Sequence, residues 1–313
     1  MKKINLSLLL VSLVIITSCG NKMTEEEIAQ IGISSCRKPA SFIKKIGFEA
    51  NRSAFSTTEL NTKGIVLIQF PKTPADTTDR KVFQDSTWKQ FGFMGSLTTD
   101  ENGNLYTAPI PMVNNLDIPI AEMNKIFKLD NVTGKLELFM NLPKPDTSVT
   151  DIVPFGILGI YFDCHSKKLY AASVSGSTRD EENGVIYVID INTKTVIDQL
   201  KGYDAAGLFV GGTTGEKRLY FGSTRKPNIY SVTLTKDGKF DDTKIKTELT
   251  LDQLGPRGND KARRIRYDKY GSLIVYGIEF NYSLAAQSNK PETGYQFNYN
   301  ETDKKWEFVK ILQ

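Results

Sequence analysis

Along most of this chain, apolar and polar residues alternate with the two-residue period of half-buried strands. Two stretches depart from that pattern. Leu6 to Ile16 is apolar except for Ser7 and Ser12, and Thr24 to Ser35 is polar with Ile28 and Ile31 on one side. Thr24 and Glu27 have capping-box spacing, which predicts either a short helix or a flexible tether there. From about Ser41 onward no long helical period occurs, and paired hairpins recur instead.

The first half of the repeat is a strand, a polar turn and a second strand. Ser96 to Asp100, then Glu101-Asn102-Gly103-Asn104, then Leu105 to Ala108 shows it best. It returns at Gly159–Ser173, Gly207–Gly222 and Arg264–Tyr276, with aligned leucines at Leu105, Leu169, Leu219 and Leu273. The second half is an alternating strand, a turn and another strand, as in Ile126–Phe139, Ile186–Asp198, Ile229–Leu249 and Tyr295–Val309. Residues 41–84 hold a degenerate copy centred on Ile65 to Phe70. Four strands per unit at this period is the pattern of propeller blades, whose faces are buried only by radial stacking. Five units are legible, and the weak N-terminal region leaves room for a sixth. The expected fold is all-β: a single β-propeller of five or six four-stranded blades over residues 39–313. A β-sandwich followed by a second β domain is the competing arrangement.

Met1-Lys2-Lys3 precedes the apolar run, which is too short for a spanning helix of about 20 residues and reads as an export signal. The closing Ile16-Thr17-Ser18-Cys19 resembles the lipobox of bacterial lipoproteins. That resemblance implies cleavage after residue 18, lipid on Cys19, a tether over residues 19–38 and attachment to the cell envelope. The outer membrane is expected, facing the periplasm or the cell surface; an ordinary signal peptide with a chance Cys is the alternative. Asp100 to Tyr106 and Gly156 to Ala172 resemble blade cores of the NHL, SMP-30/gluconolactonase and strictosidine-synthase-like propellers. In the gluconolactonase-like members a Glu, an Asn and an Asp hold a divalent metal. Their Pro-Asn-Gly signature is not found here, and Gly156-Ile157-Leu158-Gly159 stands where it would be expected.

Charge adds little. The chain has 40 Lys+Arg against 36 Asp+Glu, and removal of Lys2 and Lys3 with the signal leaves +2. That balance gives no polybasic nucleic-acid footprint, so no nucleic-acid partner is expected. With Cys19 lipidated, Cys36 and Cys164 remain in an oxidising compartment. They form either a disulfide, stabilising on the order of 4 kcal/mol by closing a long loop, or two separate buried thiols.

The loops joining second and third strands are long, at Pro109–Asn124, Val174–Asn183, Ser223–Asn228 and Glu279–Gly294. They share one face and point to it as the elaborated one. The expected ligand contacts there are Asn115, Asp117, Arg179, Asp180, Arg225 and Glu279, with Arg263 and Arg264 at the start of the last inner strand. Carboxylates and arginines over a channel suit a small molecule, a glycan or a protein. Asp180 to Asn183 offers hard oxygens for Ca²⁺, and Mg²⁺ or Zn²⁺ enters with the lactonase-like alternative. His165 is the single His, so His-rich zinc sites and HExxH chemistry are excluded. Three functions follow: an envelope-anchored binding propeller, a metal-dependent hydrolase of the SMP-30 type, or a structural subunit of an envelope complex.

Overall fold

Several hairpins turn on a carboxylate or amide at the end of their first strand. Oδ1 of Asp100 accepts the backbone N–H groups of Asn102 and Asn104, both at 2.9 Å. Asp130, Asp190 and Asp268 do the same for the residues two to four positions on, and Asn300 does so for Thr302 and Asp303. These Asx turns close hairpins between strands whose alternate residues are apolar.

The computed structural model describes residues 23–58, 62–73, 76–111, 119, 122–143, 151–213, 215–282 and 292–312. The lipobox-like run with Cys19, and the loop residues Asn115 and Asp117, lie outside the described residues. Five antiparallel sheets follow one another around a channel. Blade 1 has three strands: β1 (Ser53–Ser56), β2 (Val66–Gln69) and β3 (Lys81–Phe83). The others have four, innermost first. Blade 2 is β4 (Met94–Thr99), β5 (Leu105–Pro109), β6 (Lys125–Leu129) and β7 (Leu136–Asn141). Blade 3 is β8 (Ile157–Asp163), β9 (Lys168–Ser173), β10 (Val185–Asp190) and β11 (Thr195–Lys201). Blade 4 is β12 (Ala205–Thr213), β13 (Glu216–Ser223), β14 (Asn228–Leu234) and β15 (Phe240–Thr250). Blade 5 is β16 (Lys261–Tyr267), β17 (Leu273–Ile278), β18 (Thr293–Asn300) and β19 (Lys305–Leu312). The protein is thus a five-bladed all-β propeller, and the degenerate first repeat is a genuine but shortened blade.

Apolar clusters hold neighbouring blades together. Leu67 and Trp88 meet Leu105 and Phe127 between blades 1 and 2; Tyr106 and Ile126 meet Ile160 and Phe162 between blades 2 and 3. Ala172 and Val188 meet Leu208 and Val210 at the next seam, and Tyr220 and Ile229 meet Ile265 and Val275 at the fourth. Between blade 5 and blade 1 no such cluster occurs among the described residues. The blade 5 face turned away from blade 4 is polar, carrying Arg264, Arg266, Tyr276, Gln296 and Asn298 on alternate positions of its strands.

The inner strands approach closely enough to require glycine. A Cβ built on Gly159 of β8 would lie 1.9 Å from the carbonyl oxygen of Ala206 in β12. Gly159→Ala is therefore expected to force the seam of blades 3 and 4 apart and to lose about 1–3 kcal/mol, read as a lower urea midpoint. An unchanged midpoint would contradict this packing.

The segment ahead of blade 1 crosses the face that carries the hairpin turns between first and second strands. It begins with helix α1 (Glu25–Gln30), whose capping box is formed: Thr24 and Glu27 each accept the other's backbone N–H. Ile31 enters the core between blades 3 and 4. Gly32, at φ +86°, lies so close that a Cβ would meet the Phe209 ring at 2.5 Å. Cys36 and Cys164 are joined by a disulfide, with Cα atoms 5.6 Å apart. Beyond it Pro39 rests on Gly103, and helix α2 (Phe42–Lys45) packs Phe42 on Gly134 of blade 2 and on Trp88, in the connection from blade 1 to blade 2. Residues 24–37, read from their polarity as part of a tether, are thus a strap across one end of the channel. Polarity suits that position because the strap buries chiefly Ile28 and Ile31 and leaves its other side wet.

Candidate binding chamber

Every inner strand of blades 2 to 5 carries a β-bulge near its start. The register slips between Met94 and Leu97, Ile157 and Gly159, Ala205 and Leu208, and Ala262 and Arg264. A bulge inserts unpaired backbone and re-aims a side chain. The residues so displaced include Ser96, Leu158, Ala206 and Arg263, and all four line a chamber of about 1070 Å³ along the channel. Three of these positions hold small or aliphatic side chains. Blade 5 alone places an arginine there.

The strap forms the chamber floor, with Gln30, Ile31 and Arg37 among its lining residues. Arg37 lies over the Tyr161 ring at 4.8 Å, and burial pushes the Tyr161 hydroxyl up to about 12. Ser56, Thr57 and Thr58 present hydroxyls from blade 1, while Phe55, Phe209 and Phe280 supply aromatic surface. Blade 1 enters with its own geometry: Thr57, just past the end of β1, donates from Oγ1 to the Gly95 carbonyl near the start of β4 (2.6 Å). Its inner strand therefore runs opposite to its neighbour.

The blade 5 wall carries three guanidiniums, Arg263, Arg264 and Arg266. Arg264 forms an ion pair with Glu292 and covers the Tyr276 ring at 4.5 Å. Arg266 donates to the Tyr276 hydroxyl at 2.9 Å. Arg263 reaches the same Glu292 only at 3.5 Å. Burial, which Glu292 only partly offsets, and then the neighbouring Arg264 act against the Arg263 charge. Its side chain is nonetheless 37 % accessible and lines the half-open chamber. Two guanidiniums sharing one carboxylate leave hydrogen-bond donors directed at that space.

Among the described residues, Arg263 and Arg264 are those expected from sequence that line this chamber. Arg225 serves another purpose. Its guanidinium donates to Asp204 at 2.6 Å and to the carbonyls of Thr178, Arg179 and Glu181, and it lies over the Tyr282 ring at 5.2 Å. Burial alone would lower its proton affinity, but Asp204 outweighs that and raises it. Four of five N–H donors are thereby spent holding the Val174–Asn183 loop. Arg179 contributes its carbonyl to that clamp, and Asp180 donates its N–H to Thr178 Oγ1 at 3.3 Å. Glu279 is exposed beside Phe280. Tyr282 crosses from blade 5 to donate to Asp204 at 2.7 Å, while Phe280 and Tyr282 pack on Phe155. The long loops thus brace one another over blades 3 to 5. Arg37 was missed from sequence because only the disulfide brings the strap to the channel, while the bulge sets Arg263 apart from Arg264.

The carboxylates lining the chamber are Glu26, Glu27 and Asp163. Glu27 is engaged in the α1 cap, and Asp163 is paired with Lys217. No group of three or more His, Cys, Asp or Glu residues suited to a metal ion occurs among the described residues. The donor set needed for metal-assisted hydrolysis is therefore not assembled there.

No protein-family model and no curated protein matches the chain. Solved structures share its general form. A GH43 β-1,3-galactosidase with galactodeoxynojirimycin aligns at 9 % identity and TM-score 0.48 over 79 % of this chain and 85 % of that one. A protein from Lactobacillus plantarum aligns at 12 % and 0.48 over 85 % and 69 %. A glucose dehydrogenase aligns at 16 % and 0.44 over 77 % and 76 %. The class defined here is a five-bladed propeller whose channel is floored by its own N-terminal strap.

Proposed function

We propose that this protein is an envelope-anchored lipoprotein whose propeller binds a small anionic, hydroxyl-bearing molecule inside the channel. The carrying observation is Arg263, set by the blade 5 bulge into the wall of the channel chamber beside Arg264 and only loosely paired with Glu292. Guanidinium forks match carboxylate, sulfate and phosphate oxygens. Hydroxyls of Ser56, Thr57 and Thr58 and the aromatic surface suit the body of an acidic sugar. The lipobox-like run ending at Cys19 supports an envelope location. Binding is favoured over SMP-30-type hydrolysis because two of the three chamber carboxylates, Glu27 and Asp163, are already engaged. A structural-subunit role gives no account of a charged internal chamber.

Calorimetric titration with glucuronate, glucose 6-phosphate and glucose tests this reading. Binding of at least one anion and not of glucose is expected. Arg263→Gln should weaken it roughly 10- to 100-fold, the loss of one charge-assisted hydrogen bond of about 1.5–3 kcal/mol. Equal affinity for glucose, or an Arg263→Gln variant that binds as wild type, would overturn it.

A further inference from the structure

Ten large apolar side chains stand exposed among the described residues. Five belong to outer strands: Val82, Leu138, Phe308, Val309 and Ile311. The other five, Ile33, Ile46, Phe70, Val132 and Tyr270, share the strap face, and the long-loop face has none among the described residues. Val132 and Tyr270 are the tips of the β6–β7 and β16–β17 turns, 51 % and 79 % exposed. Ile33 reaches the same blade 5 turn at Gly271. Ile46 follows α2, and Phe70 donates its N–H to the Arg52 carbonyl where the strap enters β1. Between the two ends of the channel, the exposed apolar tips among the described residues gather at this one, which makes it a candidate contact surface.

Lysines stand among these tips. Lys45 donates to the Val132 carbonyl at 3.3 Å, Lys44 is exposed beside it, and Lys269 lies over the Tyr270 ring at 4.7 Å. Glu25 and Glu26 share the face, so the apolar tips contribute more than net charge. The chain also leaves here: Met23 packs against the core between blades 3 and 4. Three residues separate it from Cys19, and four Cα steps span at most about 14 Å. A lipid on Cys19 therefore brings this face to a membrane.

We propose that the strap face seats on an anionic phospholipid surface. Tyr270, Val132 and Phe70 enter the headgroup region, and Lys44, Lys45 and Lys269 meet the phosphates. The orientation rests on the lipoprotein reading and adds to it a specific contact that turns the long-loop face outward.

The test uses the full-length protein, processed in cells, purified from membranes and reconstituted in phosphatidylcholine vesicles with about a third phosphatidylglycerol. Acylation of lysines by an impermeant reagent is followed by mass spectrometry, with Lys226 on the opposite face as internal reference. Lys44, Lys45 and Lys269 are expected to react about fivefold or more slowly than in detergent, with Lys226 unchanged. Val132→Glu/Tyr270→Glu, a pair of exposed sites, should abolish the protection while the circular dichroism stays native. Equal reactivity on both faces, or protection that survives the double variant, would overturn the proposal. Protection without vesicles that grows with protein concentration would show a second copy on this face and overturn it too. Intact mass reads lipidation of Cys19 separately. An unlipidated protein that still floats with the vesicles and shows the protection would support docking while sinking the tether; one that stays unbound would sink both.

Discussion

Replacing Lys217 with Met is expected to cost about 3–5 kcal/mol of folding stability, the penalty for stranding a buried charge. Lys217 of β13 pairs with Asp163 at the end of β8, and their side chains are 2 % and 4 % exposed. The Asp163 carboxylate also accepts the N–H groups of His165 and Ser166 and the Ser166 hydroxyl. One ion pair therefore joins blade 3 to blade 4 and fixes the turn that bears Cys164. Asp163→Asn/Lys217→Met should recover much of the loss, because neither charge is then stranded. Burial alone would raise the Asp163 carboxyl, but Lys217 and Ser166 outweigh it and hold the group below its ordinary value. A carboxyl depressed by folding stabilises fully above its unfolded value of about 4, and that stability is lost as pH falls through the depressed value. Urea melts from pH 6 downward should thus show a steeper acid loss in wild type than in the double variant. Parallel loss would remove this pair as the cause.

Opening the Cys36–Cys164 bridge is expected to cost a further 4–5 kcal/mol or thereabouts, since it closes a loop of 128 residues. The consequence extends to the site. The strap holds Arg37 over Tyr161 and floors the chamber, yet buries only Ile28 and Ile31 of its own residues between 24 and 37. Without the bridge, amides of residues 24–37 should exchange with deuterium well before those of β8 or β12. Unchanged melting and exchange after Cys36→Ser/Cys164→Ser would show that the strap holds itself.

The blades were legible because their signals are local. Period-two strands and Asp-initiated turns such as Asp100 to Asn104 lie within a few residues of one another. Blade 1 was faint because it has three short strands and its inner strand runs the other way, so its copy of the repeat is incomplete. The site was largely hidden. Arg225 and Asp180 drew attention as charged residues of long loops, but a loop's charge does not say whether it meets ligand or braces a neighbour. Arg263 and Arg264 were visible as a pair at the start of an inner strand, but the register slip that brings Arg263 into the chamber is something no alternation pattern encodes. The strap looked like a tether because a polar helix with two buried isoleucines resembles a linker until its partner, far along the chain, is in place.

The central claim is that the channel holds an anion at Arg263, and crystals soaked in selenate test it most directly. Anomalous scattering should place selenium inside the chamber, with an oxygen about 3 Å from the Arg263 guanidinium. Selenium found only beside surface lysines, with the chamber free of it, would contradict the account.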